Sequence, residues 1–233
     1  MKKTLYRILI ASLLFCGAAG ARQDCAPSCN WETLEGQRHR LGLSEERVGA
    51  MLEQCRKSGL SAEGADALLA SLYSARDENL PVGAVLAKIE EGLAKKVAVD
   101  RVVAAAELRL DYLRRANRLV AVLDRGEEHG GDRRLVVRAA MALESGLPED
   151  VLKEVFNRHS GHRYGRLIHV LEAGEALQLA GMDAKDTQQI MLDCIDLDLN
   201  RMEILRAVDH ILVEQRDGRD FKAIYAELWI RSE

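Results

Sequence analysis

Aromatic residues are scarce in this chain: they make up 4% of its 233 residues, and only 3 residues are proline. Strands are usually rich in aromatic and β-branched side chains, whereas Ala, Leu, Val, Glu and Arg dominate here. No long stretch alternates strictly between apolar and polar residues, as a half-buried strand does. Residues 61–76 instead repeat their apolar residues at three- and four-residue steps, as one face of a helix does. The sequence therefore predicts an all-α protein.

Beyond the amino terminus the chain has no long apolar run, and the uncharged run at the amino terminus is short. Lys2, Lys3 and Arg7 precede an uncharged run of 14 residues, Ile8 to Ala21, which closes on small residues. This order is typical of a secretory signal peptide, and the run is shorter than the roughly 20 residues of a membrane-spanning helix. We expect cleavage after Ala21 and a periplasmic or secreted protein.

Lipidation at Cys16 is the alternative to ordinary cleavage. The segment from Leu13 to Cys16 is similar to a lipobox, although Phe15 is bulky where such sites have a small residue. A lipoprotein anchored at Cys16 would stay at the membrane surface of the envelope.

The chain also lacks an excess of positive charge, because 37 acidic residues stand against 33 basic ones and the net charge is −4. Loss of residues 1–21 removes three basic residues, which leaves 30 against 37 and a net charge of −7. Such a chain is repelled by polyanions, so we expect no nucleic-acid partner.

The predicted helices begin in a common way. Each start has Gly or Asn, then an apolar residue, then Ser, Pro or Asp. The first residue is expected to end the preceding helix in a left-handed conformation; Ser or Asp then caps the next helix, or Pro enters its first turn. The clear copies start at Gly42, Gly59, Asn79, Gly146 and Gly181. Weaker copies start at Lys96, Gly131, Gly161, Asp198 and Gly218.

The spacing of these starts alternates between 17 and 20 residues, which predicts a two-helix unit of about 37 residues. Divergent two-helix repeats that form a solenoid-like stack are the first interpretation, and an irregular helical bundle is the second. The predicted divisions are a signal peptide (1–21), a cysteine-containing tail (22–41), an amino-terminal helical block (42–124) and a carboxy-terminal helical block (132–233).

One long helix is expected to close the first block. From Val99 to Val120, apolar residues alternate by fours and threes, with Asn117 as the one polar position. This pattern is typical of a core helix and also of a coiled-coil seam, so self-association through residues 99–124 is the alternative. Residues 125–131 are expected to form a flexible joint.

A short segment resembles a group of known proteins. Leu80-Pro81 through Lys88, followed by Glu91-Gly92-Leu93-Ala94-Lys95, is similar to uncharacterised exported helical proteins of bacteria. The match lies within residues 80–110 and is loose. The resemblance implies export and helicity, and it implies no activity.

Four cysteines remain after the predicted cleavage, and they are candidates for disulfides in an oxidising compartment. Cys25 and Cys29 are close enough in sequence for a local bridge, while Cys55 and Cys194 occupy core positions of their helices. Four cysteines allow three complete disulfide pairings, and the sequence leaves all three open. Burial as free thiols is the alternative for Cys55 and Cys194.

The histidines near residue 160 are the strongest candidates for a polar ligand site. His159, His162, Arg163 and Tyr164 lie where one helix is expected to end and the next to begin. Two histidines three residues apart can bind zinc or copper, but a turn explains the same residues, so we predict no metal and no cofactor.

Catalytic motifs are missing: the chain has no phosphate-binding glycine loop, nucleophile elbow or zinc-binding His-Glu-x-x-His helix. We therefore predict no catalytic residues and a protein- or peptide-binding or scaffolding module of the periplasm or envelope. The first alternative is a helical cell-wall hydrolase with a Glu general acid. Glu107, Glu144 and Glu172 lie among apolar residues, and both burial in a cleft and exposure to water are open for them. The second is a periplasmic metal-binding protein.

Overall fold

The computed structural model describes residues 30–123, 132–159 and 164–228, and this part of the chain is helical without strands. The prediction of an all-α protein is confirmed. The elements are α1 (Trp31–Gln37), a 3-10 turn (Arg38–Leu41), α2 (Glu45–Lys57), α3 (Ala62–Asp77), α4 (Val82–Ala94), α5 (Val99–Ala121), α6 (Arg133–Glu144), α7 (Glu149–Arg158), α8 (Tyr164–Leu179), α9 (Ala184–Asp196), α10 (Arg201–Arg216) and α11 (Phe221–Leu228).

The junctions between helices adopt the left-handed conformation that the sequence predicts. After α2, the N–H of Leu60 donates to the carbonyl of Cys55 at 3.1 Å, which satisfies one of the last free carbonyls of the helix. The predicted starts at Gly131 and Gly161 lie outside the described residues. At the other eight starts φ is positive: Gly42, Gly59, Asn79, Lys96, Gly146, Gly181, Asp198 and Gly218.

The caps at the helix starts are also as predicted, with one difference. Ser44 and Ser61 accept hydrogen bonds from backbone N–H groups of the next turn, and Asn200 forms a capping box with Glu203. Pro81 and Pro148 stand at the N-cap itself rather than inside the first turn. Their fixed φ near −65° suits that position, where no N–H is needed for the helix.

The hydrophobic core runs through the described helices and begins earlier than the sequence indicates. Residues 31–41, assigned from the sequence to the tail, form α1 and the 3-10 turn, and their Leu34 and Leu41 are buried. Thr187 of α9 is polar, yet its side chain is fully buried. In α2, Cys55 is buried at its predicted core position, together with Val48, Met51 and Leu52.

Helix α5 is the predicted long helix, and it packs against α3, α4 and α6 of the same chain. Leu110 and Leu113 of the predicted seam are buried in those contacts, whereas Asn117 is exposed. The buried face moves instead to Ala116 and Leu119, because a straight helix turns every 3.6 residues and drifts from a heptad seam. The seam offered for self-association is thus largely covered within the chain.

Helices pack against their neighbours and against the next helix but one: α3 contacts α4 and α5, and α8 contacts α6, α9 and α10. Side-chain hydrogen bonds also join α3 to the segment formed by α1 and the 3-10 turn. The Tyr73 hydroxyl donates to the Gln37 carbonyl at 3.2 Å, and Arg76 donates to the Arg40 carbonyl at 2.7 Å, each across 36 residues. Within the described ranges, no helix is long and apolar enough to cross a bilayer.

Candidate functional site

The predicted polar ligand site lies at the junction between α7 and α8, and the structure describes its two ends. His159 directly follows the last residue of α7 and is half-buried, and Tyr164 begins α8 and packs against the core. His162 and Arg163 lie outside the described residues, so this site stays a prediction. In the part of the chain that is described, no three His, Cys, Asp or Glu side chains are grouped to hold a metal ion.

Cys55 and Cys194 are buried free thiols, and no disulfide joins them. Burial raises the pKa of Cys55 to about 11 and that of Cys194 to about 12, because a thiolate loses its hydration inside the core. The Cys55 Sγ lies 3.6 Å from the Met51 Sδ, a packing contact of two soft side chains. Cys16, Cys25 and Cys29 lie outside the described residues, and pairings that involve them stay predictions.

A groove of about 580 Å³ is lined by the start of α4, by α6 between Arg133 and Met141 and by α8 between Gly165 and Glu172. This volume falls in the usual range for ligand sites. The apolar part of its lining is drawn from all three helices and consists of Pro81, Ala84, Val137, Met141 and Ile168.

Three arginines of α6 line the same groove: Arg133, Arg134 and Arg138. We call the groove, with these side chains and its apolar lining, the arginine groove. Arg133 is exposed and donates from Nη2 to the amide oxygen of Asn79 at 2.6 Å, which ties the start of α6 to the turn before α4. Arg134 forms an ion pair of 3.1 Å with Asp132, whose carboxylate also caps α6.

Arg138 connects α6 to α8 deeper in the arginine groove. Its Nη2 lies 2.9 Å from Glu172 Oε1, and its Nη1 lies 3.7 Å from Glu175 Oε2. Glu172 also contacts a histidine of the same helix, since His169 Nδ1 lies 3.0 Å from its Oε2. The guanidinium of Arg138 is therefore shared between two carboxylates.

A second set of charges lies beside this one, between α4, α5 and α6. Glu144 pairs with Arg109 at 2.6 Å and with Lys88 at 3.1 Å.

Burial raises the pKa of Glu175, and the positive charges of Arg138 and Arg109 only partly oppose that shift. A carboxyl group with a raised pKa is what a general acid requires.

The glutamates that the sequence offers as general acids have different surroundings. Glu144 and Glu172 are half-buried and lie in these two charge clusters, whereas Glu107 is exposed on α5. For Glu107, exposure to water is one of the two surroundings that the sequence leaves open. Glu175 was not among the candidates from the sequence, and burial raises its pKa.

The surface beside the arginine groove continues toward α10. His169 and Glu172 also border a small cleft of about 60 Å³ between α8 and α10, with Leu205 on its other side. Leu205 is 46% exposed and its neighbour Met202 is 55% exposed, although both are large apolar residues. His169 and Glu172 line both openings, so the lining continues from α4 to α10.

The arginines were missed in the sequence because they belong to a weak copy of the helix-start pattern, which begins at Gly131. A signal was present: Arg133, Val137 and Met141 recur every four residues and so share one face of α6. Nothing in the sequence, however, placed that face beside α4 and α8.

Comparisons of the chain with protein-family models, with curated proteins and with solved structures gave no match.

Proposed function

We propose that this is an exported, non-enzymatic α-helical protein that binds a protein or peptide partner in the periplasm or cell envelope. The observation that carries the proposal is the arginine groove, which is open to solvent and is lined by apolar residues of three helices and by charged side chains of α6 and α8. Such a combination gives a binding site both contact area and orientation.

The proposal includes a repeated architecture of two-helix units that stack as a solenoid. The contacts of α8 with α6 and α10, and the hydrogen bonds across 36 residues, support it. In a solenoid, helices at alternate positions share one face, and that face is commonly the binding surface. The helices α4, α6, α8 and α10 fit that description, since all four contribute to the groove or to its continuation.

Blocking the groove without disturbing the fold tests this function. Gly165 lies in α8 and lines the groove, and an added Cβ there would meet no atom within 4 Å. We expect Gly165→Trp to fill the groove and to leave the helix content unchanged. Gly36→Trp is the matched control, because Gly36 is an exposed position of α1 with the same open space.

The measurement is selection of 12-residue random peptides on the purified chain, followed by affinity measurements on the enriched peptides. We expect these peptides to bind the wild type and Gly36→Trp alike, and to bind Gly165→Trp about tenfold or more weakly, a loss of about 1.4 kcal/mol. Equal binding to all three proteins would place the peptides elsewhere and remove the support for this function.

A cell-wall hydrolase is the second candidate, and the raised pKa of Glu175 is the observation that favours it. Glu172 lines the groove one turn before Glu175 and would be the nearer carboxylate to a polymer bound there. Clearing of purified peptidoglycan by the wild type, with no clearing by a folded Glu175→Gln variant, would establish this candidate in place of the binding module.

A further inference from the structure

We infer that the arginine groove binds an acidic peptide segment in which an Asp or Glu is followed or preceded, within a few residues, by an apolar side chain. The inference rests on the proposed binding function and adds the chemistry of the partner. It depends on the charges of the lining, on the partner of each arginine and on the spacing along α6.

The charge of the lining is opposite in sign to that of the whole chain. Three guanidinium groups and one carboxylate, that of Glu172, line the groove, whereas the chain has 37 acidic and 33 basic residues. A positive surface on an acidic protein is complementary to a negatively charged segment of a partner.

The three arginines differ in what already neutralises them. Arg134 has Asp132 as its ion-pair partner, and Arg138 has Glu172 and Glu175. Arg133 is held only by the neutral amide oxygen of Asn79, and no carboxylate pairs with it within the described residues. Its charge is therefore the one available to a carboxylate of a partner, while the bond to Asn79 keeps its long side chain in place.

The spacing along α6 sets the distance between the charge and the apolar contacts. Val137 and Met141 follow Arg133 by one and two turns on the same face, so they lie about 6 and 12 Å from it along the helix axis at 1.5 Å per residue. An extended peptide advances about 3.3 Å per residue. In the bound peptide, the apolar side chain that contacts Val137 or Met141 should therefore lie about two to four residues from the Asp or Glu that binds Arg133.

A guanidinium in this position favours a carboxylate by a charge-assisted hydrogen bond, and Arg can form two such bonds at once. The apolar floor supplies contact area that a free anion cannot use. We therefore assign the groove to a peptide segment rather than to a polyanion, which would need charge along its whole length and little apolar surface.

The test compares two double variants that remove the same charge. Arg133→Gln/Arg134→Gln changes the groove, and Arg101→Gln/Arg118→Gln changes two exposed arginines of α5, which does not line the groove. Each peptide enriched on the wild type is also made with its Asp and Glu replaced by Asn and Gln. We expect the wild type to bind the acidic form about tenfold more tightly, and the groove variant to bind both forms equally. The α5 variant should keep the wild-type preference.

Failure of this inference can be told apart from failure of the proposed function. If Gly165→Trp blocks the peptides but the amide forms bind as well as the acidic forms, the binding function stands and the acidic partner is wrong. If both double variants lost the preference for the acidic peptides equally, the effect would come from the protein's overall charge, and the inference would be overturned. Binding of heparin or of anionic lipid vesicles in preference to the peptides would overturn it as well. The absence of any enriched peptide would overturn both proposals.

Discussion

Glu78 and Arg114 form a two-point contact across 36 residues, in which Nε and Nη2 of Arg114 donate to the two carboxylate oxygens of Glu78. The Nε bond is 2.7 Å long. Glu78 is the C-cap of α3 and Arg114 lies on α5, so the pair joins the end of one helix to the side of the next helix but one.

This pair makes stability depend on pH in a defined direction. The hydrogen bonds from Arg114 lower the pKa of Glu78 in the folded protein. A carboxyl with a lowered pKa contributes stability above its unfolded value, near 4.3, and that contribution is lost as the pH falls through the folded value. Both side chains are more than one third exposed, so solvent limits the contribution to about 0.5–1 kcal/mol.

We expect Glu78→Gln to lower the free energy of unfolding by about 0.5–1 kcal/mol at pH 7 and by nearly nothing at pH 3. Urea unfolding at the two pH values measures the difference. Glu107→Gln, at an exposed position of α5, is the control and should change little at either pH. A cost for Glu78→Gln that persists unchanged at pH 3 would mean that the carboxylate's charge is not what stabilises this contact.

The contact between α4 and α5 depends on the absence of a side chain at Gly92. A Cβ added there would lie 2.8 Å from Cγ2 of Val102, which is buried and stiff about χ1. We expect Gly92→Ala to destabilise the protein by about 1–3 kcal/mol despite the better helix propensity of alanine. Thermal and urea unfolding measure this.

Two further variants separate crowding from other effects of alanine in α4. In Gly83→Ala the new Cβ meets only Arg47 Nη1 at 4.0 Å, so the protein should be unchanged or up to about 1 kcal/mol more stable. Val102→Ala should lower the free energy of unfolding less in the Gly92→Ala background than in the wild type, because the smaller side chain at position 102 removes the clash. Additive costs would show that the two residues do not compete for the same space.

Thr187 is fully buried in α9, and its hydroxyl oxygen has no hydrogen-bond partner among the residues that the structure describes. Valine has nearly the same shape and removes the unpaired hydroxyl, so we expect Thr187→Val to stabilise the protein by about 1 kcal/mol. Thr33→Val is the control, because the Thr33 hydroxyl donates to Asn30 Oδ1 at 3.0 Å and that bond would be lost. A lower melting temperature for Thr187→Val would reveal a partner for this hydroxyl.

Cys55 and Cys194 should be chemically inert until the protein unfolds. With pKa values of about 11 and 12 and no exposed sulfur, almost no thiolate is present at pH 8. We expect iodoacetamide at pH 8, without reductant, to leave both cysteines unmodified in the native protein and to alkylate both in guanidinium chloride. Peptide mass mapping reads the result. Alkylation of either cysteine that requires prior reduction would place it in a disulfide.

The helix junctions could be predicted from sequence because their causes are local. A left-handed residue such as Gly59 or Asn79, followed by a cap two residues later, is specified within one turn of chain. The spacing of these junctions, 17 and 20 residues, was visible in the sequence for the same reason. The burial of a polar residue such as Thr187 could not be predicted, because it depends on what packs against that residue.

The arginine groove could not be predicted in the same way. Its lining joins Pro81, Arg133 and Ile168, which lie on three helices separated by tens of residues. The histidines between α7 and α8 were candidates because they cluster along the chain, whereas side chains that cluster in space need no such proximity. Glu175 was overlooked because only packing against its neighbours raises its pKa.

The reach of the contacts along the chain has a consequence for how the protein acquires its fold. Hydrogen bonds between helices join residues such as Gln37 and Tyr73, 36 positions apart, and Asn79 and Arg133, 54 positions apart. Because these contacts reach only one or two helices along the chain, each helix can dock as soon as the next one or two have been made, so folding can advance from the amino terminus while synthesis continues.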